Sequence, residues 1–320
     1  MLYDLYFHDD FDGRAAGAVM LAFLRSRGDD IGHYQELDYY LLEEYLRDDF
    51  FVSHKLFKGK RNPPIIVDFP FHPKAAWWFD HHGNPFRKNG WEKKYKADHF
   101  HHFDPDFLSC CGQVAAILKK EFGWKPSAHM KELIKWGDIM DGAMYRSARQ
   151  TIEIKEPGLQ IAIFFDRFKR TPESNRYFVT LLAEKPLGEI AKLPEVRRVV
   201  HQSKQEIALA VNYVRKHLTI TGRVASIYLG NSYFAKPRYI PYYLYPKLLY
   251  LVRVFKVHGQ YKLSVGQNPW RAKEGKIDIG QLISKYAGGG GHFGVGAAEF
   301  ATKRQAELAA REMVEILKKV

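Results

Sequence analysis

The chain has 320 residues and carries 49 Lys and Arg against 36 Asp and Glu, which gives a formal net charge of +13. Hydrophobic residues make up 46% and charged residues 27%, proportions that exclude a largely disordered or collagen-like chain. The length fits one large domain or two of ordinary size. The positive charge suggests an anionic partner, such as nucleic acid or a phosphorylated small molecule, although it could also serve solubility alone.

The cysteines and the apolar segments narrow the class of protein further. Cys110 and Cys111 are adjacent and are the only cysteines, so we expect neither a disulfide framework nor a cysteine-based zinc site. The first residues form a strand-like run that contains Asp4, and we expect no secretory signal there. Arg253 interrupts the most apolar stretch, and no membrane span is predicted. We therefore expect a cytoplasmic, reduced protein with no membrane partner.

Strand and helix signals alternate along the first half of the chain. The predicted elements are strands at 2–7, 65–67 and 75–79 and helices at 13–27, 111–122 and 128–136. This alternation predicts an α/β fold with a doubly wound, mostly parallel sheet. Sheets of this kind bind ligands beyond the carboxyl ends of their strands. Functional side chains are therefore expected directly after the strand runs.

The second half begins with a change in composition. Pro186, Gly188 and Pro194 cluster before a charged helical stretch at 195–217. Three strand runs follow, at 224–229, 248–257 and 261–265, and then a glycine run at 288–291 and a helix at 303–319. We predict a first domain at 1–190, a connecting helix at 191–220 and a smaller α/β domain at 221–320 that faces the first across a cleft.

Acidic and histidine side chains follow the first predicted strand. His8, Asp10 and Asp12 share one face of an extended segment, whereas Asp9 points to the other face and is not predicted to be a ligand. Gly13 allows a tight turn into the following helix. Three ligating side chains suit a divalent metal, but an Asp-rich helix N-cap explains the same motif about equally well.

Three later motifs add to this first one. Asp68 ends the second strand run, where a turn residue is by itself the more common role. Asp-His-His at 80–82 follows the third run, and there Asp80 can orient an imidazole while His81 binds a metal. Asp138 lies in a later Gly-Asp segment that is informative only together with the others.

In this order, the four motifs resemble the DHH phosphoesterase superfamily. The glycine run before His292, with Gly-Ala-Ala at 296–298, resembles the GGGH signature of the associated DHHA1 domain, so the resemblance spans most of the chain. It implies two bound divalent cations, with manganese as the first choice and magnesium or cobalt as substitutes. Carried over by position, the implied metal ligands are His8 and Asp10 for one ion, Asp12, His81 and Asp138 for the other, and Asp68 between them.

The resemblance also implies catalytic and substrate-binding positions. His82 would face the substrate phosphate, with Asp80 as the second catalytic residue. The implied substrate-binding residues are Gly289, Gly290, Gly291, His292 and Arg271. Glycines let backbone N–H groups approach an anion. Taken alone, however, the run could be a flexible linker, and Arg271 could be an ordinary solvated side chain.

The implied activity is hydrolysis of a phosphodiester or phosphoanhydride bond by water that two metal ions activate. Short single-stranded oligonucleotides degraded to mononucleotides rank first, because the net charge and the 15% aromatic content fit them. Cyclic dinucleotides, pAp-type nucleotides, other phosphorylated nucleotides and polyphosphate stay open as substrates. So do a catalytically inactive nucleotide-binding sensor and a homodimeric assembly. A His-rich segment at 98–106 is predicted to be a surface loop, with extra metal binding as the alternative.

Overall fold

The computed structural model of the chain describes residues 1–53, 61–168, 170–230, 238–257 and 259–319. The chain divides into two compact units, each with one β-sheet. The first unit comprises Met1–Met144 and Glu156–Val200, and the second comprises Tyr145–Lys155 and His201–Val320. The boundaries predicted at 190 and 220 stay predictions.

The first unit is an α/β layer structure with strands in the parallel arrangement that the sequence predicts. Its strands are β1 (Leu2–His8), β2 (Asp30–Leu37), β3 (Pro64–Val67), β4 (Trp77–Asp80) and β5 (His101–Phe103). The helices up to the connecting segment are α1 (Phe11–Ser26), α2 (Leu42–Tyr45), α3 (Phe50–Ser53), α4 (Cys110–Phe122), α5 (Ala128–Asp141), α6 (Ala148–Glu153, in the second unit), α7 (Pro157–Phe165), α8 (Pro172–Glu184), α9 (Leu187–Ile190) and α10 (Pro194–His217).

The strand order of the first sheet is β2-β1-β3-β4-β5, and every neighbouring pair is parallel. Ile65, Ile66 and Val67 of β3 are fully buried, as expected for a strand with layers on both of its faces. The chain runs from β1 outward to β2 and returns to β3 on the opposite side of β1. This reversal creates a switch point at the carboxyl ends of β1 and β3, where doubly wound sheets bind ligands.

Some elements of this unit differ from the sequence-based prediction. Strand β2 was not predicted, because its sequence, DIGHYQEL, contains no continuous apolar run, and it lies at the edge of the sheet. Helix α5 continues to Asp141, beyond the predicted end at residue 136. The His-rich segment, predicted to be a loop, contributes the edge strand β5.

The second unit contains a mixed sheet of six strands in the order β10-β11-β9-β8-β7-β6. Its strands are β6 (Thr219–Thr221), β7 (Val224–Tyr228), β8 (Tyr250–Val257), β9 (Gln260–Gln267), β10 (Gly290–His292) and β11 (Val295–Phe300), and its later helices are α11 (Ile240–Leu244), α12 (Ile279–Ile283) and α13 (Lys303–Leu317). All neighbouring strands are antiparallel except β7 and β8. Helix α13 buries Ala306 and Met313 in the core of this unit.

Among the residues that the structure describes, no helix combines the length and the apolar character that crossing a bilayer requires.

Candidate metal centre

The segment that joins β1 to α1 brings His8 and Asp10 together. Asp10 is the N-cap of α1, and its Oδ1 accepts the Gly13 N–H at 2.9 Å. Its Oδ2 lies 3.0 Å from Nδ1 of His8. A Cβ at Gly13 would lie 2.2 Å from the His8 carbonyl oxygen, so only glycine fits this turn. Asp10 therefore caps the helix with one oxygen and directs the other toward His8.

Asp68 follows β3 and lies between two imidazoles. Its Oδ2 is 3.5 Å from Nδ1 of His8, and its Oδ1 is 3.5 Å from Nε2 of His81. The residue is 1% exposed and has a φ of 60°, a left-handed conformation that is uncommon outside glycine and asparagine. The backbone N–H of Asp68 donates to the Phe79 carbonyl at 2.9 Å, which ties this turn to β4.

The Asp-His-His segment begins at the last residue of β4. Oδ1 of Asp80, which is fully buried, accepts the backbone N–H groups of His81 and His82 at 2.9 and 3.2 Å, and it lies 2.8 Å from Nδ1 of His82. The Nδ1 of His81 lies 3.1 Å from the Phe107 carbonyl oxygen, which directs Nε2 of His81 toward the carboxylates. The buried Asp80 carboxylate thus orients both the backbone of residues 81 and 82 and the imidazole of His82.

Asp12 is fixed by the start of helix α4. Its Oδ2 accepts the Cys110 N–H at 2.6 Å, and its Oδ1 accepts the Cys111 N–H at 3.0 Å. These are N–H groups at the beginning of a helix, where a carboxylate is also favoured by the helix dipole. The Oδ2 of Asp12 lies 3.8 Å from Nε2 of His81.

The two aspartates in the last turns of helix α5 have different neighbours. Asp138, the residue predicted from the sequence, accepts a hydrogen bond from the Ser109 hydroxyl at 2.5 Å. Asp141, one turn further along, has Oδ2 3.1 Å from Nε2 of His81. Helices α4 and α5 approach closely at Gly137, where a Cβ would lie 2.2 Å from Sγ of Cys111. The structure therefore brings Asp141 next to His81 and pairs Asp138 with Ser109.

These side chains form three groups whose ligand atoms lie within 4.8 Å of one another: His8, Asp10 and Asp68; Asp68, His81 and His82; and Asp12, His81 and Asp141. The buried atoms Nδ1 of His8, Nε2 of His81 and both oxygens of Asp68 have no hydrogen bond to any described residue. Unpaired polar atoms are costly to bury. Carboxylate oxygens combined with imidazoles are a donor set that fits manganese or magnesium.

The glycine run of the second unit forms the hairpin strand β10 and the turn before it. A Cβ at Gly289 would lie 2.4 Å from the Ile283 carbonyl oxygen, and one at Gly291 would lie 2.1 Å from the Val295 carbonyl oxygen. By contrast, a Cβ at Gly290 would have no neighbour within 4 Å. Two of the three predicted glycines are therefore required by the packing of the hairpin.

The other two predicted substrate-binding residues lie on the surface of the same unit. His292 is exposed at the end of β10. Arg271 belongs to a short 3-10 helix, and its Nε and Nη2 each lie 2.8 Å from a carboxylate oxygen of Glu274. Arg271 is thus already paired with an acidic side chain in this unit.

No family model matches the chain, and no curated protein matches it in sequence. Solved structures do match its fold. A pGpG-specific phosphodiesterase, PggH, from Vibrio cholerae has a TM-score of 0.70 and 19% identity, and the match covers 98% of each chain. An exonuclease RecJ bound to manganese has a TM-score of 0.54 and 13% identity, over 99% of this chain and 90% of that one. RecJ in complex with Mn²⁺ from Thermus thermophilus has a TM-score of 0.53 and 13% identity, over 99% of this chain and 52% of that one.

The chain has the two-domain DHH/DHHA1 fold. The first unit has the fold expected of a DHH domain and the second the fold expected of a DHHA1 domain. The resemblance stated from the sequence motifs is therefore confirmed at the level of the fold.

Within the DHH domain, the carboxylates stabilise positive charge at both central imidazoles. Burial lowers the pKa of His8, but the nearby carboxylates of Asp10 and Asp68 outweigh it and raise this pKa to about 11. Burial likewise opposes the effect of Asp141 and Asp68 on His81, whose pKa also rises to about 11. The site thus favours positive charge at two positions on either side of Asp68.

The same site disfavours its own negative charges. Burial, followed by the charge of neighbouring Asp10, raises the pKa of Asp68. Burial and the charge of Asp68 raise the pKa of Asp12. The hydrogen bond with Asp80 raises the pKa of His82. Several carboxylates crowded in one buried site need cations to stabilise them, which is the electrostatic condition for metal binding.

Sequence reasoning named Asp138 as the ligand from this helix, whereas the structure places Asp141 beside His81. The two carboxylates are three residues apart on one helix, so they lie on the same side of it. This spacing indicates that both side chains could face the site. It does not reveal the hydrogen bond that holds Asp138, because the donor, Ser109, is the N-cap of a different helix. The His-rich segment contributes to none of the three possible metal groups among the described residues, and His99 lies 2.6 Å from Glu121 instead.

Proposed function

We propose that the chain is a metal-dependent phosphodiesterase that hydrolyses short oligonucleotides, with dinucleotides first among them, to mononucleotides. The observation that carries this proposal is the buried Asp68 carboxylate, whose two oxygens face His8 on one side and His81 on the other at 3.5 Å. A carboxylate in this position can bridge two cations. A pair of cations is a common device for hydrolysing phosphate esters.

Two sets of side chains would hold these cations, with manganese as our first choice. His8 and Asp10 would bind the first ion, Asp12 and His81 would bind the second, and Asp68 would bridge them. The bound ions would activate water for attack on phosphorus and neutralise charge on the phosphate oxygens. The hydrogen bonds of Asp12 to the start of α4 would keep its carboxylate in position.

The remaining carboxylate ligand is proposed from the geometry. Asp141 is 3.1 Å from His81, whereas Asp138 is engaged by Ser109 at 2.5 Å. We therefore propose Asp141 as a ligand of the second ion. Asp138, the ligand implied by the family resemblance, stays an alternative that the same metal titration can test.

His82 is proposed to act on the substrate. Asp80 engages its Nδ1 and both neighbouring backbone N–H groups, so the ring is held from one side. The hydrogen bond with Asp80 raises the pKa of His82, which favours the protonated imidazole. A protonated His82 can donate to a phosphoryl oxygen or to the leaving oxygen.

The DHHA1 domain is proposed to hold the rest of the substrate through Gly289, Gly290, Gly291 and His292, with Arg271 as an additional cation. Gly290 leaves open space above the hairpin backbone, which suits close approach of an anion. The V. cholerae phosphodiesterase named for pGpG matches 98% of each chain and supports a dinucleotide as the first substrate to test. Cys110 and Cys111 are buried free thiols, which fits a cytoplasmic location.

A substrate panel tests this proposal. The protein is stripped of metal with EDTA, supplied with Mn²⁺ and offered pGpG, di- to pentanucleotides, a cyclic dinucleotide, pAp and polyphosphate, and the products are separated by chromatography. We expect mononucleotides from the shortest oligonucleotides only when Mn²⁺ is present. Asp68→Asn should lower the rate by at least ~100-fold, whereas Asp106→Asn, at an exposed position, should not.

The panel also has outcomes that would replace this proposal. Release of orthophosphate from polyphosphate alone would assign the chain as an exopolyphosphatase. Tight nucleotide binding without turnover on any substrate would assign it as a nucleotide-binding sensor.

A further inference from the structure

The two ring nitrogens of His8 face different carboxylates. Nδ1 points to Asp10 and Asp68, at 3.0 and 3.5 Å. Nε2 lies 3.7 Å from Oδ1 of Asp9, a residue that sequence reasoning placed on the opposite face of the segment. The separation is a few tenths of an ångström longer than a hydrogen bond. Asp9 is therefore the carboxylate next to the nitrogen that faces away from Asp68.

The side chain of Asp9 is held by an arginine. Nη1 of Arg170, just before α8, makes a short contact with Oδ2 of Asp9. Asp9 is 13% exposed and Arg170 is 32% exposed at the side chain, so the pair is partly shielded from water. Oδ1 of Asp9 stays directed toward His8 while Oδ2 is engaged by Arg170.

The backbone of Asp9 is held as well, on both sides. Its N–H donates to the Leu37 carbonyl of β2 at 3.1 Å. Its carbonyl accepts from Nη1 of Arg14, which also donates to the Asp10 carbonyl at 3.1 Å. Arg14 is fully buried and donates to Glu36 at 2.6 Å. Asp9 therefore cannot move without breaking contacts to β2, to α1 and to Arg170.

We propose that Asp9 and Arg170 are positioning residues for His8, and this inference rests on the proposed metal site. A neutral imidazole binds a metal through Nδ1 only when its proton is on Nε2. A carboxylate next to Nε2 stabilises that tautomer, fixes the ring and makes Nδ1 a better donor. Arg170 keeps the Asp9 carboxylate in place and compensates its charge. Asp9 therefore supports His8 and does not itself bind the metal.

An ordinary surface ion pair would not have this arrangement. Exposed ion pairs contribute little to stability. The same domain offers such a pair for comparison, because Arg25 of α1 contacts Glu184 of α8 with both side chains more than one-third exposed. Arg25 lies at the end of α1 that is opposite Asp10.

Isothermal titration of the 320-residue chain with Mn²⁺ tests the inference, alongside thermal unfolding in EDTA. We expect Asp9→Asn to weaken Mn²⁺ binding by ~10–100-fold and to leave the unfolding temperature in EDTA nearly unchanged. Arg170→Met should weaken binding in the same direction, and Arg170→Lys should restore most of the affinity. Arg25→Met should bind Mn²⁺ as the parent does. Hydrolysis by Asp9→Asn should recover as Mn²⁺ is raised, because the ligands themselves are intact.

The outcomes separate this inference from the proposed function. A parent protein that binds no Mn²⁺ would overturn both. Parent-like Mn²⁺ affinity in Asp9→Asn, with lost affinity in His8→Gln, would overturn the positioning role alone. Tighter binding by Arg170→Met would also overturn it, because it would mean that a released Asp9 becomes a ligand. If Asp9→Asn does not fold, the comparison of Arg170→Met with Arg170→Lys decides.

Discussion

Nε2 of His81 lies 3.1 Å from the carboxylate of Asp141, on the last turn of α5. The carboxylate one turn earlier, Asp138, accepts a hydrogen bond from Ser109 instead. We therefore expect Asp141→Asn to weaken Mn²⁺ binding by at least ~10-fold, and Asp138→Asn to weaken it less. Isothermal titration of the two variants against the parent measures this difference. The reverse order would restore Asp138 as the ligand implied by the family resemblance.

The Asp68→Asn variant should distinguish the stability of the metal-free protein from the additional stability that bound Mn²⁺ gives. The Asp68 carboxylate is buried, its oxygens have no hydrogen bond to any described residue, and burial and Asp10 raise its pKa. Replacing it by a neutral amide should leave the EDTA-treated protein folded, because relief of the buried charge offsets the lost attraction to His8 and His81. The variant should also lose the rise in unfolding temperature that Mn²⁺ gives the parent. Asparagine is the appropriate replacement because it tolerates the left-handed backbone at this position.

Calorimetry with and without Mn²⁺ provides both measurements. An equal Mn²⁺-dependent rise in the parent and in Asp68→Asn would contradict a bridging role for this carboxylate. Asp106→Asn, at an exposed position of the same domain, is the control.

His82→Gln should lower kcat and leave metal affinity almost unchanged. The ring is held by Asp80 at 2.8 Å, and its Nδ1 lies 3.7 Å from Asp68. Loss of a proton donor to the phosphate should reduce kcat by ~10²–10⁴-fold. Steady-state kinetics on a dinucleotide and Mn²⁺ titration check this prediction, with His99→Gln at an exposed position as the control. A large loss of Mn²⁺ affinity in His82→Gln would make His82 a ligand.

His72 should make the stability of the DHH domain depend on pH. Its side chain is fully buried beside Trp91, and burial lowers its pKa from 6.5 to about 4. Between these values the unfolded chain binds a proton that the folded chain does not, so the free energy of unfolding falls as pH is lowered through this window. The full effect is up to about 3 kcal/mol, since one pKa unit corresponds to about 1.4 kcal/mol.

Urea unfolding of the parent and of His72→Gln at pH 7 and pH 4.5 measures this effect. The variant should lose less stability than the parent between the two values. His201→Gln, at an exposed position, should follow the parent. Identical pH profiles for parent and His72→Gln would contradict a buried neutral imidazole at this position.

The sequence predicted the parts of the fold that depend on local pattern. The apolar run before Asp68 forms β3, and the alternation of strands and helices indicated the parallel sheet. Strand β2 was missed because an edge strand needs little apolar sequence. Taken alone, the glycine run could be a flexible linker, yet Gly290 and Gly291 pair with β11. That pairing depends on distant residues, and no local pattern contains it.

In the candidate site too, local sequence pattern does not determine which individual side chains come into contact. His8, Asp10, Asp68 and His81 were predicted because they follow strands, and the structure brings them together. Asp9 was set aside because an extended strand turns it to the other face. The structure does direct one of its oxygens away from Asp68, but places the other near His8. Which carboxylate of α5 approaches His81 depends on how α4 and α5 pack, which sequence spacing does not encode.

The backbone of Asp68 also bears on how this fold can change its role during evolution. A φ of 60° is one that asparagine adopts with little strain, whereas most other side chains are disfavoured there. Aspartate and asparagine codons differ by one base. A single nucleotide change could therefore remove the charge that we propose bridges two cations, with little strain on the backbone that carries it.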